Sequence, residues 1–382
     1  MPKSNLRPYW TGLRSPAGEC TRIADATKRY RGRGWEIRFV RCDYPGISKG
    51  TRRKLSAHVG NSYELRIFAR SSARAADVAA LLYAARSLLE GVTVERVIVG
   101  WEPYQAIPLD PRELERFSAH QRDAFDAYRN SFYLDANGFF DAAQITCRLA
   151  HRNSWQNAAF KFLLSGQLAG VHHMDLRPGA HDAAMFRSSH PMDWIWFSQS
   201  IFAAYGVVEE LRLTPQASST KPSLLRDGTW NPEVRTHLEG RLAKIGIRPQ
   251  DTLYWNVRGR PRRLEKKVQR RITSAKPGPW TRGNVRDAGI LYIDAINTAS
   301  YLRSNVTAHV GEISGLTAID VANVQQLARL LLLHAVGFQF WRHPKVNGNS
   351  TAKTSGRDRT ITCARRVETR ANRRGSGRSP HK

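Results

Sequence analysis

The stretch "YLRSNVTAHVG", residues 301–311, sets an Arg and a His six positions apart, where an amphipathic run gives way to Gly311. The two side chains offer different chemistry. A guanidinium stays charged at any physiological pH and presents a planar fork of donors, whereas an imidazole titrates at about pH 6.5. Spacing alone decides little in so Arg-rich a chain. The pattern recurs at Arg52 or Arg53 with His58, at Arg329 with His334, and at Arg374 with His381. Context separates the four. Arg374 and His381 fall in a polar tail, Arg329 and His334 flank "LLLL" inside an apolar helix, and His58 stands before a strand. Only Arg303 and His309 close one long amphipathic helix and precede another.

The elements around that pair follow from periodicity. In "NVRDAGILYIDAINTASYLRSNVTAH", Leu291, Ala295, Leu302 and Val306 keep helical spacing, flanked by Ile296 and Ala299. In "LTAIDVANVQQLARLLLLHAVGF", Val324, Leu327, Ala328, Leu331 and Ala335 do the same. Further upstream, Pro191 opens a long apolar helix with Trp194, Phe197, Ile201, Ala204, Val208 and Leu211 on one stripe. Glu209 and Glu210 sit near its end, on the unfavourable side of the helix dipole, at a cost of a few tenths of a kcal/mol. They need a basic neighbour or open solvent. A long polar connection and a short helix, "VRTHLEGRLAKIG", come next.

The N-terminal part reads as a small α/β unit. "RYRGRGWEIRFVRC" alternates like an edge strand, "SYELRIFAR" is a second strand, and "VTVERVIVGWEP" a third. Between the last two, "SARAADVAALLYAARSLLEG" has helical spacing and Gly91 to close it. "HQRDAFDAYRNSFYL", "GFFDAAQITCRLAHR" and "NSWQNAAFKFLLSGQL" follow as consecutive helices, the last capped by Asn153 or Ser154. His172, His173, His181 and His190 share a loop, but their spacings fit no standard zinc pattern.

Charge points to partners. The net charge of +28 attracts polyanions, and at this size nucleic acid is the first expectation. The excess is concentrated: residues 258–286 hold eleven Lys/Arg against one acid. Arg258, Arg260, Arg262, Arg263, Lys266, Lys267, Arg270 and Arg271 are therefore the expected phosphate contacts, with Trp255 and Trp280 as stacking partners for unpaired bases. The four Cys make no C-x-x-C pair, so a reducing compartment is expected, with neither a disulfide framework nor a zinc ribbon. With no signal-peptide core and no apolar run of transmembrane length, the expectation is a cytoplasmic protein without a membrane partner. The tail 346–382 is too polar to order itself and is expected to be disordered.

The arrangement of Arg303 and His309 resembles the HEPN superfamily, whose domains are small helical bundles. Catalytic members carry Arg-x(4–6)-His at the end of one helix, just before the last. The resemblance covers about residues 192–340, with "VVEEL" in the first helix, "LRSNVTAH" as the motif and "DVANVQQLARLLL" as the closing helix. Members usually place Asn or Asp directly after the Arg; here Ser304 stands there, with Asn305 next. The resemblance implies metal-independent RNA cleavage without a cofactor, in defence or as a toxin. His309 would take the ribose 2′-OH proton and Arg303 would hold the scissile phosphate. Glu209, Glu210, Asp294, Asn297, Ser304 and Asn305 would support them, and a homodimer would bring two motifs together. The reading from another class is a nucleic-acid-binding or complex-forming helical module without chemistry, in which Arg303 simply pairs with Glu209 or Glu210. The expected fold is mainly α: an N-terminal basic α/β unit over 1–115, a helical connection over 116–190, a HEPN-like bundle over 191–345 with an insertion at about 213–285, and the tail.

Overall fold

The computed structural model describes residues 6–14, 23–41, 63–90, 107–108, 136–170, 191–218, 220–258, 276–282, 285–307 and 316–338. These are mainly helical, as the sequence indicates, with two small antiparallel sheets. The expected strand at 92–103, the helix from 120, the four-His loop and the tail lie outside the described residues.

Strands β1 (Arg7–Arg14), β2 (Tyr30–Gly32), β3 (Trp35–Arg41), β4 (Tyr63–Ala69) and β5 (Ile107–Pro108) form the first sheet, in the order β2-β3-β4-β1-β5. A four-residue helix α1 (Ile23–Ala26) precedes β2. "RYRGRGWEIRFVRC" is a hairpin, not the single edge strand its alternation suggests. Gly34, at φ 80°, supplies the left-handed turn that most side chains resist. Period-two alternation then sorts the faces. Trp35, Ile37 and Phe39 lie in register with Ala69, Ile67 and Leu65, and all six are buried.

Helix α2 (Ser72–Glu90) crosses that apolar face. It is buried nearly all round, because α3 (Ala136–Leu149) and α4 (Asn153–Gly170) cover its other side. Its alanines, Ala75, Ala79, Ala84 and Ala85, suit such close neighbours. Phe140 of α3 sets its ring edge-on to Phe39 and Tyr63, with centroids 4.8 and 5.7 Å apart.

Helix α5 (Pro191–Glu210) packs most extensively on α4, and α8 (Ala318–Ala335) lies against both. The middle of the stripe expected on α5 is buried, with Phe197, Ile201, Ala204 and Val208 at most 2 % exposed, whereas Trp194 and Leu211 at its two ends are half-buried. Between these helices sits a polar knot. The Ser165 hydroxyl donates to the Ser200 carbonyl (2.8 Å), and the Ser200 hydroxyl donates back to the Ser165 carbonyl (2.9 Å). Gln325 Nε2 of α8 donates to both hydroxyl oxygens, at 2.9 and 3.1 Å. Arg329, also on α8 and 6 % exposed, donates to the carbonyls of Leu88 and Leu89. It thus satisfies the C-terminal end of α2. Burial pushes its pKa down to about 10, still far above neutrality. A Thr317–Asp320 capping box starts α8, with the Thr317 N–H donating to Asp320 Oδ2 at 2.9 Å.

The second sheet was not expected. Strands β6 (Thr252–Arg258), β7 (Lys276–Arg282) and β8 (Val285–Leu291) pair in the order β6-β8-β7. The helix read from residue 284 therefore starts only at Tyr292, as α7 (Tyr292–Tyr301). Leu291 is the last strand residue and the helix N-cap at once, extended at φ −66° and ψ 147°. Leu253, Trp255 and Val257 of β6 alternate into the core. Trp255 is 1 % exposed, so it is a core residue and not the base-stacking platform the sequence suggested. The outer edge of β6 is closed by Asn323 of α8. Its amide accepts from the Asn256 N–H (2.8 Å) and donates to the Asn256 carbonyl (2.9 Å), as a neighbouring strand would. Helix α6 (Pro232–Lys244) precedes this sheet, capped by Asn231, with Pro232 in its first turn. No helix among the described residues is long and apolar enough to cross a membrane.

Candidate functional site

Helix α7 stops being an α-helix at the residue before Arg303. Leu302–Thr307 continue as a π-helical turn, in which N–H groups reach back five residues instead of four. Leu302 is fully buried and anchors the turn. Arg303 and Ser304 are half-buried beside it. The π turn packs on α5, and three α5 residues on one face meet it or α7: Phe202, Tyr205 and Glu209, spaced i, i+3 and i+7.

The contacts of Arg303 define the site. Its Nη2 lies 3.3 Å from Glu209 Oε1, and the two side chains remain 34 % and 37 % exposed. Its guanidinium carbon lies 5.1 Å from the centroid of the Phe202 ring, a cation–π distance. Phe202 is itself 50 % exposed, which is unusual for so large an apolar side chain. Tyr205 is buried between them and hydrogen-bonds Ser300 of α7. Burial raises its phenol pKa; Ser300 opposes that, the Glu209 charge adds to it, and Arg303 and Arg241 oppose it again. Tyr205 is thus a neutral phenol at any physiological pH.

The two carboxylates at the end of α5 find the basic neighbours their position demands. Glu209 has Arg303, and Glu210 Oε1 has Lys161 Nζ of α4 at 2.7 Å. Lys161 reaches it by crossing α5 at Gly206, where a Cβ would stand 2.8 Å from Lys161 Cδ. The chain leaves α5 through Arg212 at φ 57°, with the Leu213 N–H bonded to the Val208 carbonyl and the Arg212 N–H to the Glu209 carbonyl. This is a Schellman turn with Arg where Gly is usual. Arg241 of α6 donates to the carbonyls of Arg212 and Thr214 just beyond it.

The other expected residues are placed as follows. Asp294 is fully buried on α7, where its Oδ1 accepts from the Trp230 indole N–H at 2.7 Å. Asn297 is 7 % exposed. Neither faces solvent. Asn305 lies in the π turn, and Arg258 ends β6. His309, Arg260, Arg262, Arg263, Lys266, Lys267, Arg270 and Arg271 lie outside the described residues. Sequence reasoning missed Phe202, Tyr205, Ser300 and Arg241. The first two could have been found from their helical spacing to Glu209, and Ser300 from its place three residues before Arg303.

Chemically, the arrangement is a cation seated on an aromatic ring, aimed by a carboxylate and still in contact with solvent. Such a group can bind an anion. Among the described residues no group of three or more His, Cys, Asp or Glu could hold a metal ion. No family model, curated protein or solved structure matches this chain at a significant level.

Proposed function

We propose that this protein is a metal-independent RNA endonuclease of the HEPN type, with Arg303 holding the scissile phosphate and His309 moving the 2′-hydroxyl proton. The observation that carries the reading is the presentation of Arg303. It sits where the helix changes winding, is aimed by Glu209 and Phe202, and keeps a third of its side chain in solvent. π turns recur at functional sites, where they re-aim a side chain. On an ideal α-helix six positions advance about 600°, leaving Arg303 and His309 roughly 120° apart. A change of winding between them bears on that mismatch. The +28 charge suits an RNA substrate. The reading includes a HEPN-like bundle of α5, α7 and α8, and a homodimer with facing motifs in a cytoplasmic setting.

The test is incubation of purified protein with total RNA in EDTA, beside Arg303→Ala and His309→Ala. Cleavage by the parent chain and its loss in both variants is the expected result. Variants that cut as the parent does would overturn it. Mixing the two variants under subunit exchange should restore cutting if one site takes groups from two chains. The Arg303–Glu209 ion pair itself favours a second reading, in which Arg303 is structural and the protein binds nucleic acid without chemistry. Retained RNA binding without cleavage would select that reading.

A further inference from the structure

The face of the first sheet opposite α2 carries chemistry that the site above does not use. Pairing and alternation place Arg31, Glu36, Phe68 and Pro8 in one row across β2, β3, β4 and β1, and Arg38 and Arg66 beside each other in the next. Three guanidiniums converge on one carboxylate there. Arg31 Nε is 3.1 Å from Glu36 Oε2, Arg29 Nε is 3.8 Å from Oε1, and Arg38 also bonds Oε1. The Glu36 side chain is 6 % exposed beneath them, whereas Arg29, Arg31 and Arg38 are 56, 62 and 36 % exposed. The Arg38 guanidinium carbon also sits over an aromatic ring, 4.0 Å from the centroid of Phe68.

One carboxylate offers about four acceptor positions and three guanidiniums offer about fifteen donors, so Glu36 gathers these arginines without saturating them. The cluster keeps two positive charges in excess. Burial alone would raise the Glu36 carboxyl, but Arg38 and Arg31 hold it below its ordinary value, so it stays charged and keeps the forks in place. An RNA duplex keeps the informative base edges in a deep, narrow major groove, whereas a flat basic surface with a stacking group suits an unpaired strand. The forks suit phosphates, and the Arg38 guanidinium, backed by the Phe68 ring, offers a cation on which a base can stack.

We infer that the face of the N-terminal sheet opposite α2, centred on Arg29, Arg31, Arg38 and Phe68 around Glu36, is a binding surface for single-stranded nucleic acid. It is independent of cleavage at Arg303 and is drawn from a part of the sequence other than the basic stretch 258–271.

The experiment uses the full chain and fluorescein-labelled dT20, which lacks the 2′-hydroxyl and so cannot be cut by the proposed chemistry. Failure of this inference is thereby separated from failure of the nuclease reading. Affinity is measured by anisotropy over a salt series, with thermal melting of each variant as the fold control. Phe68→Ala should weaken dT20 binding about fivefold or more. Arg29→Ala with Arg31→Ala should lower the salt slope by about 1.4, since each phosphate contact on a single strand contributes about 0.7. Glu36→Gln, which removes the charge that keeps the forks in place, should weaken binding. Variants that melt like the parent and bind dT20 with unchanged affinity and slope would overturn the inference. So would stronger binding to a 20-bp duplex, or displacement of dT20 by polyglutamate at equal charge, which would assign the face to an acidic protein segment.

Discussion

Replacing Glu209 by Gln and Arg303 by Ala separates positioning from binding at the candidate site. The pair is 3.3 Å apart and about a third exposed on each side. In water two unit charges at that distance attract by about 1.3 kcal/mol. Ordering two long side chains and screening by salt reduce this, so a net of roughly 0.2–1 kcal/mol remains. Glu209→Gln keeps an acceptor oxygen but loses that attraction. The aimed orientation of Arg303 should lose at most about a factor of five in population. Cleavage of a labelled RNA 20-mer in EDTA should fall by the same factor. If Arg303 holds the scissile phosphate as proposed, Arg303→Ala removes a donor to the charge that develops in the transition state and should cost about 10²–10³ in rate. Both proteins should melt within about 2 °C of the parent, because a half-exposed pair carries little of the stability of so large a unit. An Arg303→Ala protein that cuts at the parental rate would refute the phosphate role. A Glu209→Gln protein that cuts faster would show the carboxylate to be a competitor for Arg303 and not its guide.

Trp230→Phe should destabilise by about 1–3 kcal/mol in urea unfolding, because it strips a fully buried Asp294 of its 2.7 Å indole donor; Asp294→Asn, which keeps an acceptor oxygen, should cost less. His334 is held below its ordinary pKa by burial, with Asp251 pulling partly the other way. The unfolded chain therefore takes its proton first, so stability is full above about pH 6.5 and falls as pH drops below it. Melting at pH 7.5 and 5.5 should show that loss, and His334→Gln should reduce it. Arg212→Gly should raise stability by about 0.5–1 kcal/mol, since the native φ of 57° strains any residue with a Cβ. Arg212→Val should lower it, and a differential melt of the two tests the strain.

The helices were legible wherever one stripe met one neighbour. On α5 the middle of the expected stripe is buried; on α8 Val324, Leu327, Ala328 and Leu331 are buried, but so is most of that helix, because several neighbours cover it. The need of Glu209 and Glu210 for cations could be read from their place at a helix end. Which cations answered could not, because Arg303 and Lys161 come from 94 and 49 residues away in the chain. The strand at 285–291 was missed because β8 runs into α7 without a turn. Leu291 then falls in step with Ala295 and Leu302, and a helical period counts straight across the junction. Trp255 was misassigned for a related reason. Its basic neighbours in sequence suggested a surface, whereas the alternation of Leu253, Trp255 and Val257 puts it on the inner side of β6. The hairpin at 30–41 hid in continuous alternation, and Gly34 was the local mark of its turn.

The Ser165–Ser200–Gln325 knot acts as a key in a keyway. Sliding α5 along α4 by one turn would displace the two serines by about 5.4 Å, beyond any hydrogen bond. Both hydroxyls and the Gln325 amide would then be left buried among apolar helices, at about 1–3 kcal/mol for each orphaned group. The register of α5 is therefore locked, and with it the heights of Phe202 and Glu209 beneath Arg303. A ratchet of packed helices, a common route for transmitting a signal, is closed to this part of the molecule. Adjustment at Arg303 falls instead to side-chain rotation and to the π turn, whose wider winding can tighten to α by passing one residue along the chain.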